Sequence, residues 1–489
     1  MNLATVIEDH DADRPALHSR GEVITYGELR DRVAQARGAL VARGIEPGDR
    51  VAVVSGNNWY FVVAYLATLG VGAVAVPLNP LSPAPELTRE LAAVGARLAL
   101  AGPTAEDAVA ALVTEDIPDF EGIAPVADLL GGDPAPLVER KDDDLAVLLF
   151  TSGTAGRPRP AMLTHGNLFA NIGQILANPA RPAPGDDVSL GVLPLFHVFG
   201  LNALLGQALA VGSSVVLVER FDPHTTLQAI VDHGVTLVSG VPTMWAAWAA
   251  LPDADPEAMS GVRYAVSGAA PLEPETARAV HDRFGVELTE GYGLTEASPA
   301  VTSGLGHNAP AGSIGVPLPG VEVRLIDPSG EDALVGDPGE IWVRGPNVFP
   351  GYWEDPEATA AALTPDGWLR TGDVAVVDDD GFLSIVDRAK DVIIVSGFNV
   401  FPAEVEDVLL NHPGVAEAAV VGVPHPHSGE AVKAYVVPED GADPEEDELI
   451  DHVGRHLARY KCPFAVVFVD TLPHGETGKV LRRELRELG

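Results

Sequence analysis

The chain has 489 residues, of which 46% are apolar and 21% are charged, so it can form two or more domains and bury a large core. Its formal net charge of −39 excludes binding to nucleic acid, whose phosphates it would repel. A single cysteine, Cys462, excludes an intrachain disulfide framework, and we expect it to serve packing rather than catalysis. Without a basic and apolar leader at the N-terminus, the expected location is cytoplasmic.

Helices and strands alternate through the first half of the chain. The spacing predicts helices at 25–43 (capped by Thr25), 59–69 and 223–233, with strands at 51–55, 73–78, 214–218 and 236–240. This order is typical of a parallel α/β sheet. Two long segments lack charged residues, 51–85 and 188–218, but Gly, Pro and polar residues interrupt both. We therefore predict buried helices beside buried strands and no integral membrane segment.

Beyond about residue 320 the pattern changes to short strands joined by polar turns. The end of the chain predicts helices at 402–411 and 446–458 and strands at 417–423, 431–437 and 465–469. The expected fold class is α/β, with a large N-terminal domain (1–389) of parallel sheets that includes a β-rich subdomain at about 320–389. A small, mobile α+β C-terminal domain (390–489) follows.

An apolar strand at 148–150 runs into a loop that suits a polyphosphate. Glycines let backbone N–H groups converge on anionic oxygens, and hydroxyls donate further hydrogen bonds. The residues of this loop are Thr151, Ser152, Gly153, Thr154 and Gly156. The loop is not the P-loop of NTPases, because no Gly-Lys-Ser/Thr follows it, and by itself it could be a plain turn.

The loop resembles the signature loop of the adenylate-forming superfamily, which includes acyl- and aryl-CoA synthetases. The resemblance extends from ITYGELRDRV (24–33) to GKVLRREL (478–485), and the pattern is closest to fatty-acid–CoA ligases and 4-coumarate–CoA ligase-like enzymes. It implies a ligase that uses ATP, Mg²⁺ and coenzyme A, first forming an acyl-adenylate and then an acyl-CoA. One departure is Arg159-Pro160 in place of the family's Lys-Gly, which keeps the charge but removes a backbone donor.

Further motifs resemble the family's nucleotide site. In YAVSGAAPL (264–272) and LTEGYGLTEAS (288–298), the resemblance implies an adenine pocket built from Gly268, Ala269, Ala270, Gly291, Tyr292 and Gly293. It also implies that the Thr295 hydroxyl contacts the α-phosphate and that Glu296 and Thr151 are oxygen ligands of Mg²⁺. Asp373 and Arg388 would bind the ribose, although an aspartate in a Gly-Asp turn is commonly structural.

The remaining candidates concern the acyl group and the small domain. His197, in LPLFHVFG (193–200), is expected to gate the acyl channel, with a packed core histidine as the alternative. The resemblance places Lys390 at the hinge, Ser396 and Gly397 beside the pantetheine arm of CoA, and the catalytic Lys479 at the reacting carboxylate and α-phosphate. The chain has five lysines, at 141, 390, 433, 461 and 479, which favours a chemical role for a lysine inside a motif.

The substrate is predicted less narrowly than the reaction. The segments 199–210, 238–248 and 297–302 are apolar with small residues, which favours an uncharged acid over malonate. Medium- or long-chain fatty acids are the substrates we predict first, and aryl acids such as coumarate or benzoate are the second prediction. The alternatives are a carrier-protein-loading acyl-AMP ligase, a light-emitting or oxidative relative, and a catalytically silent nucleotide- or acyl-binding paralogue, which only Arg159-Pro160 favours. Monomer and homodimer both remain open.

Overall fold

The computed structural model describes residues 1–151, 159–178, 187–388, 392–439, 441–473, 480 and 482–487. Below, the large domain means the described residues up to 388, and the small domain means those from 392 onward. The predicted boundary at 389/390 lies outside the described residues and stays a prediction. The predicted α/β class, with parallel sheets in a large N-terminal domain and a small C-terminal domain, is confirmed.

The largest sheet in the described part of the chain has nine strands and is parallel at its centre. In spatial order the strands are Val316–Pro317, Ala300–Ser303, Thr289–Gly293, Tyr264–Ser267, Leu237–Gly240, Val188–Gly191, Ser214–Leu217, Pro15–Ser19 and Glu22–Thr25. The pairs at its two ends are antiparallel, whereas the five pairs between them are parallel. The strands predicted at 214–218 and 236–240 are neighbours of the same central strand, Val188–Gly191.

A second sheet is parallel except at one edge. In spatial order its described strands are Ile123–Pro125, Leu98–Ala101, Arg50–Val54, Val74–Leu78, Leu145–Thr151 and Arg159–Thr164. The last two pair antiparallel, with Thr151 opposite Arg159. The strand that leads into the predicted phosphate loop is therefore fixed in register with the strand that leaves it.

Helices pack on the sheets of the large domain. Their bounds are Tyr26–Ala42, Trp59–Gly70, Ala84–Val94, Glu106–Ala110, His165–Leu176, Gln207–Ala210, Pro223–Asp232, Pro242–Ala249, Pro274–Phe284 and Pro356–Ala362, with a π-helix at Phe199–Gly206. Thr25 caps the first helix as predicted, because its hydroxyl accepts from the Glu28 amide at 3.2 Å while the Glu28 side chain accepts from the Thr25 amide. Almost every residue of Trp59–Gly70 is buried, which explains the charge-free segment 51–85. None of the described helices is long and apolar enough to cross a membrane.

The β-rich part of the large domain and the small domain each have a sheet of their own. The first has the antiparallel strands Glu322–Ile326, Gly339–Arg344, Leu369–Val377 and Leu383–Arg388. The second has the strands Phe398–Val400, Ile393–Val395, Gly429–Pro438, Val415–His425 and Ala465–Phe468, with helices Pro402–Leu410, Glu446–Gly454 and Arg482–Glu487. The predicted elements of the small domain are confirmed, but the helix predicted at 446–458 ends at Gly454, since a turn begins at Arg455.

Candidate active site

One cavity of about 340 Å³ collects most of the predicted site residues that the structure describes. It lies where the parallel strands Tyr264–Ser267 and Thr289–Gly293 end, because the residues following both strands line it. Predicted residues on its wall are Thr151, His197, Gly268, Ala269, Ala270, Gly291, Tyr292, Gly293, Thr295, Glu296, Asp373 and Gly397. Ligands bind at the carboxyl ends of strands in open α/β sheets, and this cavity has that position.

Glu296 is held by two hydroxyl groups at the base of the cavity. It is 8% exposed, and its Oε1 accepts hydrogen bonds from Thr151 at 3.1 Å and from the Tyr352 hydroxyl at 2.7 Å. Burial, reinforced by the Glu296 charge, raises the Tyr352 pKa well above its usual value, so this hydroxyl keeps its proton and acts as a donor. The carboxylate is thus fixed before any ligand arrives.

The turn that carries Glu296 is supported by buried amide side chains. The short 3₁₀ helix Thr295–Ala297 is followed by Ser298, whose hydroxyl donates to the Asn347 carbonyl at 2.8 Å. The Asn347 side chain donates to the Ala297 carbonyl at 2.9 Å. All of these hydrogen bonds, which hold Glu296 and its turn, come from described residues of the large domain.

The donor set at Glu296 fits Mg²⁺ carried by a nucleotide. A carboxylate and a threonine hydroxyl are hard oxygen donors, and Mg²⁺ takes few protein ligands and keeps phosphate oxygens and waters. Among the described residues there is no cluster of three or more His, Cys, Asp or Glu side chains that would form an all-protein metal site. Thr151 and Glu296 are therefore the described residues that would hold the ion.

The predicted nucleotide pocket is compact, with Tyr292 and Asp373 in direct contact. The Tyr292 hydroxyl donates to Asp373 Oδ2 at 2.6 Å. A Cβ added to Gly293 would lie 2.3 Å from the Pro299 carbonyl oxygen, so only glycine fits there. At Gly268 an added Cβ would lie 3.2 Å from the Phe199 ring, and Ala269 has a φ of 67°. Arg388 is opposite Asp373 in the strand register.

His197 lies on the cavity wall, next to Phe199. Burial lowers its pKa to about 4, so the ring is neutral near neutral pH. Its Nδ1 accepts from the Phe199 amide at 3.3 Å. A neutral, partly enclosed ring can shape the channel for an acyl group without adding charge to it.

Arg159 forms an ion pair that the sequence did not indicate. Its Nε lies 2.8 Å from Asp355 Oδ2, and the adjacent Pro160 carbonyl accepts from the Trp353 amide at 2.8 Å. The segment around 351–355 therefore packs along the strand Arg159–Thr164. At the position where the chain departs from the family's Lys-Gly, the Arg159 guanidinium therefore has Asp355 as an ion-pair partner, and this carboxylate offsets its charge.

Gly397 brings the small domain into the cavity. It has a φ of 85°, and an added Cβ would lie 2.5 Å from Val241 Cγ1 of the large domain. The preceding Ser396 also has a positive φ, of 52°. A side chain at 397 would separate the domains, so glycine is required for this approach.

Several predicted residues lie outside the described residues. They are Ser152, Gly153, Thr154, Gly156, Lys390 and Lys479. The same holds for the side chain of Arg388, whose backbone alone is described. Their assigned roles remain predictions.

Sequence reasoning missed two features of the structure, one in the site and one outside the cavity. Tyr352 contacts Glu296 but belongs to no segment that was singled out, and nothing local in PGYW (350–353) marks it. Lys461 is one of the five lysines, and its buried ion pairs with Glu86 and Glu404 were not predicted. The rarity of lysine was a signal that could have identified it.

Comparisons with known proteins agree with this geometry. The AMP-binding enzyme family matches residues 4–353, and the AMP-binding enzyme C-terminal domain matches residues 404–479. A feruloyl-CoA synthase from Amycolatopsis sp is 43% identical over 96% of this chain and 95% of its own length. A long-chain-fatty-acid–CoA ligase from Yersinia pestis is 38% identical over 97% of this chain and 92% of its own.

Three solved structures have the same fold. The amide bond synthetase McbA from Marinactinospora thermotolerans has a TM-score of 0.89 at 34% identity, covering 100% of this chain and 99% of its own. The o-succinylbenzoate-CoA synthetase MenE from Bacillus subtilis, bound to a product analogue, has a TM-score of 0.88 at 30% identity, with coverages of 99% and 98%. ATP-bound MatB from Rhodopseudomonas palustris has a TM-score of 0.74 at 36% identity, with coverages of 100% and 98%.

The chain belongs to the AMP-binding enzyme family, and this confirms its predicted resemblance to the adenylate-forming superfamily. Within the family it is an AMP-forming acid–CoA ligase whose co-substrates are ATP, with Mg²⁺, and coenzyme A.

Proposed function

We propose that the enzyme activates an aryl carboxylic acid of the hydroxycinnamate type as an acyl-adenylate and transfers the acyl group to CoA. The observation that carries the reaction is the single cavity shared by Thr151, the Tyr292–Asp373 pair and Gly397. The residues proposed for the nucleotide, the carboxylate proposed for Mg²⁺ and a turn of the small domain all line this cavity. One cavity can then serve both steps.

In the proposed first step a substrate carboxylate oxygen attacks the α-phosphorus of ATP and pyrophosphate leaves. Mg²⁺ bound by Glu296 and Thr151 would supply charge neutralisation at the phosphates. Tyr292 and Asp373 would hold the adenosine, and the Thr295 hydroxyl would contact the α-phosphate. Lys479 would stabilise the developing negative charge.

In the proposed second step the thiol of CoA loses its proton and attacks the acyl carbonyl. The carbon–sulfur bond forms as the carbon–oxygen bond to AMP breaks, and AMP leaves. We propose that Gly397 and Ser396 border the path of the thiol and that Lys390 acts as the hinge between domains 1–389 and 390–489. A rotation of this kind lets one cleft serve two reactions.

The aryl acid is favoured over a fatty acid by two observations. The relative at 43% identity is named a feruloyl-CoA synthase, while the fatty-acid ligase from Yersinia pestis is at 38%. The acyl side of the cavity also mixes polar side chains (Gln207, Ser239) with the Phe199 ring and aliphatic groups. Amide and hydroxyl side chains beside the acyl group can hydrogen-bond to ring oxygens, which an alkyl chain does not offer. A medium- or long-chain fatty acid remains the alternative, and a cytoplasmic location fits the need for ATP and CoA.

The test is a product assay on the purified chain with MgATP and CoA. The acids are ferulate, 4-coumarate, cinnamate, benzoate, octanoate and palmitate, and acyl-CoA and AMP are measured by chromatography. We expect ferulate or 4-coumarate to exceed cinnamate, which has no ring oxygen, by about tenfold in kcat/KM. Turnover of palmitate above all aryl acids would establish the fatty-acid alternative. Acyl-AMP without acyl-CoA would instead point to a different acceptor, such as an amine or a carrier thiol.

A further inference from the structure

A buried ion cluster joins the two domains at a point outside the cavity. Glu86 lies in the first turn of the large-domain helix Ala84–Val94 and is 3% exposed. Its carboxylate accepts hydrogen bonds from Lys461 Nζ and, at 2.8 Å, from the Ala458 amide, both in the small domain. Lys461 Nζ also donates to Glu404 of the small domain at 2.9 Å. Of the described acidic side chains that act on Lys461, Glu86 and Glu90 come from the large domain and Glu404 comes from the small domain.

The cluster depends on the domains being in contact. Burial opposes the charge on Lys461, but Tyr460, Glu404 and Glu86 together raise its pKa well above the ordinary value, so the ammonium stays charged. The Glu86 carboxylate accepts two hydrogen bonds from the small domain, one from Lys461 Nζ and one from the Ala458 amide, and both are lost when the domains separate. Glu86 therefore favours the arrangement that keeps Lys461 beside it over any arrangement that separates them.

A series of ring contacts links this cluster to the cavity. Tyr460, next to Lys461, stacks on Phe398 with ring centroids 4.6 Å apart, and Phe398 stacks on Phe196 of the large domain at 6.4 Å. Phe398 follows Gly397 in the chain, and Phe196 precedes His197. Both Gly397 and His197 line the cavity, so the position of Lys461 and the position of the Gly397 turn are coupled through packed side chains.

We propose that Glu86 is a positioning residue for the acyl-transfer step: through Lys461 it holds the small domain where Gly397 lines the cavity. The inference rests on the proposed two-step function. Glu86 itself is not among the residues that line the cavity.

The experiment compares Glu86→Gln with Glu275→Gln. Glu275 is a matched control, because it also follows a proline in the first turn of a large-domain helix but is exposed. Adenylation is measured as pyrophosphate release without CoA, and acyl transfer as single-turnover formation of acyl-CoA from preformed acyl-AMP. We expect E86Q to slow acyl transfer by about tenfold or more while adenylation stays within about twofold of wild type, and E275Q to leave both rates unchanged.

A second variant and an activity-independent measurement complete the test. Tyr460→Leu breaks the ring contacts between the cluster and Phe398, and it should give the same split between the two rates even if E86Q folds poorly. Hydrogen exchange should rise at residues 84–94 and 458–461 in E86Q but not in E275Q. Wild-type acyl transfer in E86Q, or an equal loss of both rates in a folded protein, would overturn the inference. Failure of the wild type to form acyl-AMP would overturn the proposed function instead, and the exchange measurement would still decide the domain contact.

Discussion

Replacing Tyr352 by phenylalanine tests whether its hydroxyl, which takes no part in the proposed reaction steps, holds the Glu296 carboxylate in position for Mg²⁺. The change removes the 2.7 Å hydrogen bond to Glu296 Oε1 and leaves the 3.1 Å bond from Thr151. A hydrogen bond to a charged group contributes about 1.5–3 kcal/mol, and about 1.4 kcal/mol corresponds to a tenfold change in rate. We therefore expect kcat/KM for adenylation to fall by about ten- to a hundredfold, with a higher Mg²⁺ concentration at half-maximal rate.

The assay is pyrophosphate release without CoA, titrated with Mg²⁺ at saturating ATP and acid. Tyr26→Phe is a matched control, since its hydroxyl is also buried and donates to the Ser213 carbonyl at 2.8 Å, in a part of the large domain that does not line the cavity. It should cost about 1 kcal/mol of unfolding free energy and leave the Mg²⁺ dependence unchanged. If Y352F destabilises the protein as Y26F does but keeps the wild-type Mg²⁺ curve, the hydroxyl serves packing alone and the reasoning is wrong.

Three further predictions follow from the cavity wall. Gly293→Ala places a Cβ 2.3 Å from the Pro299 carbonyl oxygen, so the free energy of unfolding, measured by urea titration, should fall by about 1–3 kcal/mol. The same variant should not bind ATP in calorimetry, and normal binding would contradict the glycine requirement. Asp373→Asn removes a charged acceptor at the proposed ribose position while keeping the side-chain shape, so the KM for ATP should rise about tenfold with the KM for the acid unchanged. His197 has its pKa lowered to about 4, so the folded state loses stability as pH falls from about 6.5 to about 4, by about 1–2 kcal/mol at pH 5. His197→Phe should remove this part of the acid sensitivity in urea unfolding at pH 5 and 7.5, and an unchanged difference between the two pH values would refute the assignment.

The fold was predictable wherever one local pattern decided the outcome. Thr25 and Glu28 mark a helix start because their hydrogen bonds form within one turn. The charge-free segment 51–85 contains a buried helix between buried strands, as its interrupting Gly, Pro and polar residues predicted. The end of the helix predicted at 446–458 was missed, because hydrophobic periodicity continues past Gly454 while the backbone turns. Periodicity indicates which face is buried but does not fix where a helix ends.

The sequence predicted most of the described motif residues that line the cavity, but it did not predict the contacts among them. Tyr292 and Asp373 were predicted separately, yet their 2.6 Å contact arises because strands from two different sheets bring them to one wall of the cavity. The hydrogen bond from Tyr352 to Glu296 joins residues that are 56 positions apart in the chain. The ion pair of Asp355 with Arg159 joins residues about 196 positions apart. Partners at such sequence distances are set by tertiary packing, so neither propensity nor spacing can indicate them.

The distribution of contacts between the domains predicts that the two proposed reaction steps can be separated by mutation. Glu296, with its donors Thr151 and Tyr352, lies wholly in the large domain, and so do Tyr292 and Asp373. Gly397 and Lys461 belong to the small domain, and their contacts with Val241 and Glu86 exist only while the domains are docked as described. Weakening the docking should therefore leave the Mg²⁺ dependence of adenylation unchanged. If E86Q shifted the Mg²⁺ dependence, the position of the Glu296 carboxylate would have to depend on the small domain through contacts other than those with Thr151 and Tyr352. The large domain would then not be a preformed nucleotide site.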